Sequence, residues 1–415
     1  MPTSFPVEII RLFIEASRDW MPTLLQFALV SKDCMVESRK YTFERLELGQ
    51  HGQNQRIKCD RIKEFHCLVT ANVALGTHVR HLDLCMYPEE YNSIDPNLCA
   101  EELPAILLLL PALTSLKITC RERLGPESDW NAWPGPLKAS IGRCCSSPTI
   151  STLHLITIRK FPREILTLPP NLKHLSLNQV VGVGESPDES ERPATQAPRL
   201  QSLSIHGGWS VVANCVLANP AFIPCLTKLY WYIFDQEDMA VLGRVVREIS
   251  GSLQELSVEF YRGCPPLGST VTPLPQLKRL IISSELNINP LFRILTNHLN
   301  FYQELVQSQH ELEDLLFTFK VSPQVNSRTQ TIIPEIQIPR WDSLDEHICG
   351  LRRPPTRTVI HFTLRWPVPE GTYHAPDNLK VAFKNRLMQE AQNALHRSVE
   401  AGRVTVVLDE SNESN

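Results

Sequence analysis

One pattern recurs along this chain: an apolar residue at i, i+3 and i+5, with mostly polar residues between. It occurs at Val79-Leu82-Leu84, Leu113-Leu116-Ile118, Ile150-Leu153-Leu155, Leu172-Leu175-Leu177, Leu200-Leu203-Ile205, Leu226-Leu229-Trp231, Leu253-Leu256-Val258, Leu277-Leu280-Ile282, Leu312-Leu315-Phe317 and Val359-Phe362-Leu364, with Phe43-Leu46-Leu48 as a forerunner. Successive starts lie as little as 22 residues apart (150 to 172) and as much as 47 (312 to 359). Side chains alternate along an extended chain, so i+3 and i+5 leave a short strand on one side while i+2 and i+4 leave on the other. Between these strands, residues 56–69, 99–110, 209–217, 235–249 and 290–307 carry helical periodicity, and Pro, Asp or Asn opens several of them, as helix starts prefer. A single strand-helix unit cannot bury its apolar edge alone, so the units must stack on one another. The fold class expected is therefore α/β. Residues 377–400 read as an amphipathic helix with Leu379, Phe383, Leu387, Ala391 and Leu395 on one face, and 403–408 as a β-branched strand; together they form a C-terminal cap. From Asp409 an acidic, disordered tail is expected.

Composition narrows the function. At 42% hydrophobic and 21% charged over 415 residues, the chain can bury a core, and wholesale disorder is excluded. Its 41 Lys and Arg against 45 Asp and Glu leave a net charge of -4, so no global field draws it to nucleic acid or an anionic bilayer. The longest apolar run, 106–110 within 103–113, is about half of what spans a bilayer and is flanked by Pro104 and Pro111. No membrane association is expected, and residues 1–10 lack the features of a signal peptide, which points to the cytoplasm or nucleus. The 12 cysteines include no Cys-x-x-Cys and read as small buried apolar residues of a reducing compartment. Phosphate-loop, H-E-x-x-H and G-x-S-x-G motifs are absent, and Gly182-Val183-Gly184 lacks the third glycine of a dinucleotide fingerprint. A non-catalytic protein without cofactor or metal is expected.

Residues 1–48 read differently. Ile9, Ile10, Phe13 and Ile14 fall at helical spacing after Pro6 at a first-turn position, and Leu24, Leu25, Phe27, Ala28, Leu29 and Val30 make a second, nearly all-apolar helix. Two or three such helices are too few to close a core of their own, so docking on the repeat, on another chain or on both is expected.

The recurring pattern resembles the leucine-rich repeat, L-x-x-L-x-L-x-x-N, as in L-K-H-L-S-L-N at 172–178 and L-Q-S-L-S-I-H at 200–206. The family's asparagine at i+8 is replaced by Tyr87, Arg121, Ile158, Val180 and Gly208, so the resemblance implies an irregular arc rather than a regular horseshoe. The N-terminal segment resembles an F-box: Phe5-Pro6-Val7-Glu8-Ile9-Ile10, then Ala28-Leu29-Val30-Ser31-Lys32, with Phe5 in the usual leucine's place and Cys34 where many members carry tryptophan. Together these resemblances imply an F-box-like module at 1–48, a leucine-rich-repeat-like solenoid at 49–375, a cap at 376–408 and a tail at 409–415. They imply a substrate receptor that binds a Skp-family adaptor, and through it a cullin-RING ubiquitin ligase, by way of Pro6, Ile9, Ile10, Phe13, Leu25, Leu29 and Val30. The alternative is a repeat scaffold unconnected with ubiquitination, its N-terminal helices capping the first repeat.

A protein substrate is expected on the strand face formed by i+2, i+4 and i+6. Its candidate residues are His174, His206, Lys228, Tyr230, Tyr232, Glu255 and Glu259. In Tyr230-Trp231-Tyr232, alternation sends Trp231 inward and both tyrosines outward, where tyrosine is a common anchor for partners. The competing reading is a strand face whose tyrosines pack across neighbouring strands. His81, His154 and His361 share this face, but no pair has metal-ligand spacing.

Overall fold

The computed structural model describes residues 7–48, 55–86, 101–120, 128–181, 199–207, 217, 222–260, 273–287, 312–322, 342–350, 355–364 and 377–410. The predicted helices at 209–217 and 290–307 lie essentially outside these residues. The chain groups into two units, Met1–Leu200 with Ser210–Phe222, and Gln201–Trp209 with Ile223–Asn415.

In the first unit, helices α1 (Val7–Ala16), α2 (Met21–Val30) and α3 (Lys32–Thr42) precede β1 (Arg45–Leu48). There follow α4 (Gln55–Ala71), α5 (Val73–Gly76), β2 (His81–Met86), α6 (Glu102–Leu108), β3 (Ser115–Cys120), α7 (Gly135–Cys145), β4 (Thr152–Ile156), α8 (Arg163–Thr167) and β5 (His174–Asn178). Strands β1 to β5 pair in sequence order, each parallel to the next. The second unit holds β6 (Ser202–His206), β7 (Lys228–Ile233), α9 (Gln236–Glu248), β8 (Glu255–Phe260), β9 (Arg279–Asn287), β10 (Asp314–Ser322), α10 (Asp342–Gly350), β11 (Arg357–Leu364), α11 (Asp377–Ala394), α12 (His396–Glu400) and β12 (Thr405–Glu410). Its strands β6 to β12 are likewise parallel neighbours in order. This is the α/β arrangement expected of repeated strand-helix units.

The recurring triplet explains the core. From Val79-Leu82-Leu84 to Leu277-Leu280-Ile282 every member of the eight triplets is buried, as are Leu315, Phe317, Phe362 and Leu364 farther on. Regularity comes from the backbone rather than from an asparagine ladder. In eight of the repeats the carbonyl at i+1 accepts two successive N–H groups of the next: Glu44, Arg80, Thr114 and Ser151 do so in the first unit of the chain, and Gln201, Thr227, Gln254 and Lys278 in the second, all at 2.8 to 3.1 Å. At i+7, Thr157 (φ 56), Gln179 (φ 51) and Gly207 (φ 68) turn the chain through the left-handed region, which costs Thr157 more than it costs glycine. At the family's asparagine position Ile158 and Val180 are fully buried, and single bridges Asp129 to Arg159 and Arg159 to Val181 carry the pairing past the strands. Among the described residues the ladders are thus more regular than expected.

One register differs from expectation. Leu315 pairs with Thr358 and Phe317 with Ile360, so the last unit starts at Pro355, four residues before Val359. A shift by an even number keeps every side chain on its face, so alternation alone does not fix it. The helix and strand predicted at 377–408 form with two changes. The helix predicted over 377–400 is interrupted at Leu395, and Asp409 and Glu410 belong to β12, paired with Thr363 and Leu364, rather than to a tail. Asp345 clasps this segment: its Oδ1 accepts the Ser398 N–H at 2.8 Å and its Oδ2 the Arg397 N–H at 3.1 Å, satisfying the start of α12. In return Arg403 donates to the carbonyls of Ile348 and Cys349 at the end of α10. No described helix is long and apolar enough to cross a membrane.

Candidate functional site

The N-terminal helices are built to keep a second apolar face outside. Ser31 breaks the chain between α2 and α3 and caps α3, its Oγ accepting the Cys34 N–H at 3.1 Å. This turn folds α3 back so that Ile14 of α1, Leu24 of α2 and Cys34 of α3 are buried together, with Ile10, Phe27 and Tyr41 packed against them. The three helices therefore do enclose a small core, contrary to expectation, because α3 supplies the third wall. The opposite faces carry two stripes at helical spacing: Ile9, Leu12 and Phe13 on α1, and Met21, Leu25 and Leu29 on α2, all exposed, with Leu29 at 87%. Val30, Val36 and Trp20 are exposed as well.

Of the predicted adaptor residues, Ile9 and Phe13 on α1 and Leu25, Leu29 and Val30 on α2 are thus exposed. Ile10 is not: it is half-buried and belongs to the small core. Pro6 lies outside the described residues. Sequence reasoning missed Leu12, Met21 and Trp20. The first two were legible as i+3 from Ile9 and i-4 from Leu25, since three- and four-residue spacings share a helix face.

The predicted substrate residues behave differently. Trp231 is buried as expected, but Tyr232, expected outside, is only 9% exposed. Its ring stacks on His206 with centroids 4.0 Å apart, and Phe234 closes the group at 4.6 Å from Tyr232 and 5.6 Å from His206. Burial, and secondarily the Lys320 ammonium, hold the His206 pKa below its ordinary value, against the pull of Glu259. Tyr230 is half-buried and donates its hydroxyl to Glu259 Oε2 at 2.5 Å, while Lys320 of β10 pairs with Oε1 of the same carboxylate. Burial and the bond to Glu259 raise the Tyr230 pKa well above the usual phenol range. Cross-strand packing, the competing reading, describes this part of the face.

What stays open lies along the strand starts. Register places Lys228, Glu255, Arg279, Asp314 and Arg357 side by side on successive strands, a row of alternating sign. Lys228 reaches Glu255 at 3.3 Å and Arg279 reaches the same carboxylate at 4.0 Å. Each carboxylate sits between two cations, so no like charges face one another along this row. His174, on β5 of the first unit, is exposed and is not part of this row.

Glu47, Asp83 and Cys85 are the one described group with metal-binding geometry, their ligand atoms within 4.8 Å of one another. The chemistry argues against it. Asp83 is already paired with Lys117, and burial together with Asp83 pushes the Cys85 thiol up to about 12, so an incoming ion would have to displace the lysine and ionise a half-buried thiol. Against known proteins, no family model matches the chain and no curated protein sequence matches it.

Proposed function

We propose that this chain is a non-catalytic substrate receptor of a Skp-cullin-F-box type ubiquitin ligase. Helices α1 and α2 dock on a Skp-family adaptor, and the parallel strand arrays carry the surface that holds a protein substrate. The observation that carries the reading is the pair of exposed apolar stripes on a module that has closed its own core. A capping role needs those side chains to be covered by the repeat, and Phe13 and Leu29 are not. Exposed apolar stripes on short helices are ligands for a groove in a partner. Motif residues Glu8, Leu29, Val30, Ser31 and Lys32 are likewise exposed.

Within the repeat, the half-exposed row from Lys228 to Arg357 offers more contact surface than the aromatic group around Tyr232, whose members satisfy one another. Co-expression of full-length chain with a Skp-family adaptor tests the reading. The Phe13→Glu and Leu29→Glu double substitution changes only exposed positions, so it is expected to leave the fold intact and abolish co-purification. A wild-type chain that is soluble and ignores the adaptor would leave a repeat scaffold without a ligase connection.

A further inference from the structure

Beyond the motif residues, the apolar surface continues into the turn between α1 and α2, and there it contains a tryptophan. Trp20 is 71% exposed, and no side-chain partner is found for its indole among the described residues. The other described tryptophans, Trp130, Trp133 and Trp231, are all buried. An indole left in water forgoes one of the largest apolar burials a side chain can make, and tryptophan is the residue type most enriched among interface anchors.

The backbone beneath it is fixed on both sides. The Trp20 N–H donates to the Ser17 carbonyl at 2.8 Å, and the Trp20 carbonyl accepts the N–H groups of Thr23 at 3.0 Å and Leu24 at 3.1 Å. Leu24 is itself in the small core. The ring therefore projects from an ordered turn, which lowers the entropic cost of immobilising it on a partner. Its chain neighbour Met21 begins the Met21-Leu25-Leu29 stripe, so the exposed surface is continuous in sequence from Trp20 to the motif. The flanking Arg18 and Asp19, paired at 3.8 Å and both exposed, give the turn a polar rim.

We infer that Trp20 is an anchor of the adaptor interface, with its chain neighbour Met21, extending the contact beyond the motif-matching residues. The inference rests on the adaptor reading above. Its test measures the affinity of purified full-length chain for a recombinant Skp-family adaptor by calorimetry, for wild type, Trp20→Ala and Trp20→Phe, alongside each protein's urea midpoint. Truncation is expected to weaken binding by about tenfold or more, as for a buried interface tryptophan, with an unchanged midpoint and partial recovery in the Phe variant. Wild-type binding with Trp20→Ala within about twofold of it would overturn the anchor and leave the adaptor reading standing. A lowered midpoint in the Ala variant with full affinity in the Phe variant would also overturn it, since the ring would then serve the turn alone. Absence of binding by the wild type would overturn both.

Discussion

Asp238 should make the second unit less stable at neutral pH than in mild acid. It is 1% exposed, in the first turn of α9. Its Oδ2 accepts the Phe234 N–H at 2.8 Å and its own N–H donates to Asp235 Oδ1 at 2.9 Å, a reciprocal cap on the helix start. Oδ1 has no partner among the described residues. Burial, reinforced by the charges of Asp235 and Glu237, pushes the carboxyl from 3.8 up to about 6. Between these values the folded chain holds a proton that the unfolded chain releases, so stability is fully present below pH ~4 and falls as pH rises through ~6. A rise of about two units corresponds to about 3 kcal/mol. Asp238→Asn keeps a carbonyl for the Phe234 N–H and removes the buried charge, at a cost of about 1 kcal/mol if its amide finds no acceptor. The variant should therefore gain stability relative to wild type as pH rises from 4 to 7.5, by an increment near 3 kcal/mol. Urea unfolding of both full-length proteins across that range gives the difference directly, with other titrations cancelling. A difference that stays flat with pH would refute the reasoning.

Two other substitutions probe the scaffold. At Gly76, the last residue of α5, an added Cβ would meet the Leu109 carbonyl oxygen at 2.0 Å, a backbone contact that no rotamer relieves. Gly76→Ala should cost about 2 kcal/mol or more, read as a lowered urea midpoint. Asp345→Ala leaves two N–H groups at the start of α12 without their acceptor and should cost about 2 kcal/mol. It should also speed amide exchange in α12 and β12, and unchanged exchange there would mean the clasp is not what holds them.

The repeat was readable because its signal is local: three apolar residues per unit, all of them buried in the eight units from Val79 to Ile282. The helices at 55–71 and 236–248 were readable for the same reason, with apolar periodicity and, at Asp235, a capping residue. What was not readable depends on neighbours far along the chain. The start of the last unit at Pro355 is fixed by pairing with β10, and Thr358 occupies a position that other units fill with leucine or another large apolar residue. The alternating row becomes visible only once that register places Arg357 opposite Asp314. Tyr232 is buried because His206 lies directly beside it on β6. The small N-terminal core was hidden because Cys34 and Tyr41 give α3 a weak apolar pattern. The outward stripes were partly legible, since Ile9, Phe13, Leu25 and Leu29 have helical spacing, but which side faces out depends on that hidden core.

The central claim is that α1 and α2 are the docking surface. Hydrogen exchange of the full-length chain, alone and saturated with a Skp-family adaptor, tests it most directly. The expected result is slowed exchange confined to residues 9–30, including the turn at Trp20, with strands β2 to β12 unchanged. Protection on the strand arrays with none across 9–30, or no change at a saturating adaptor concentration, would contradict it.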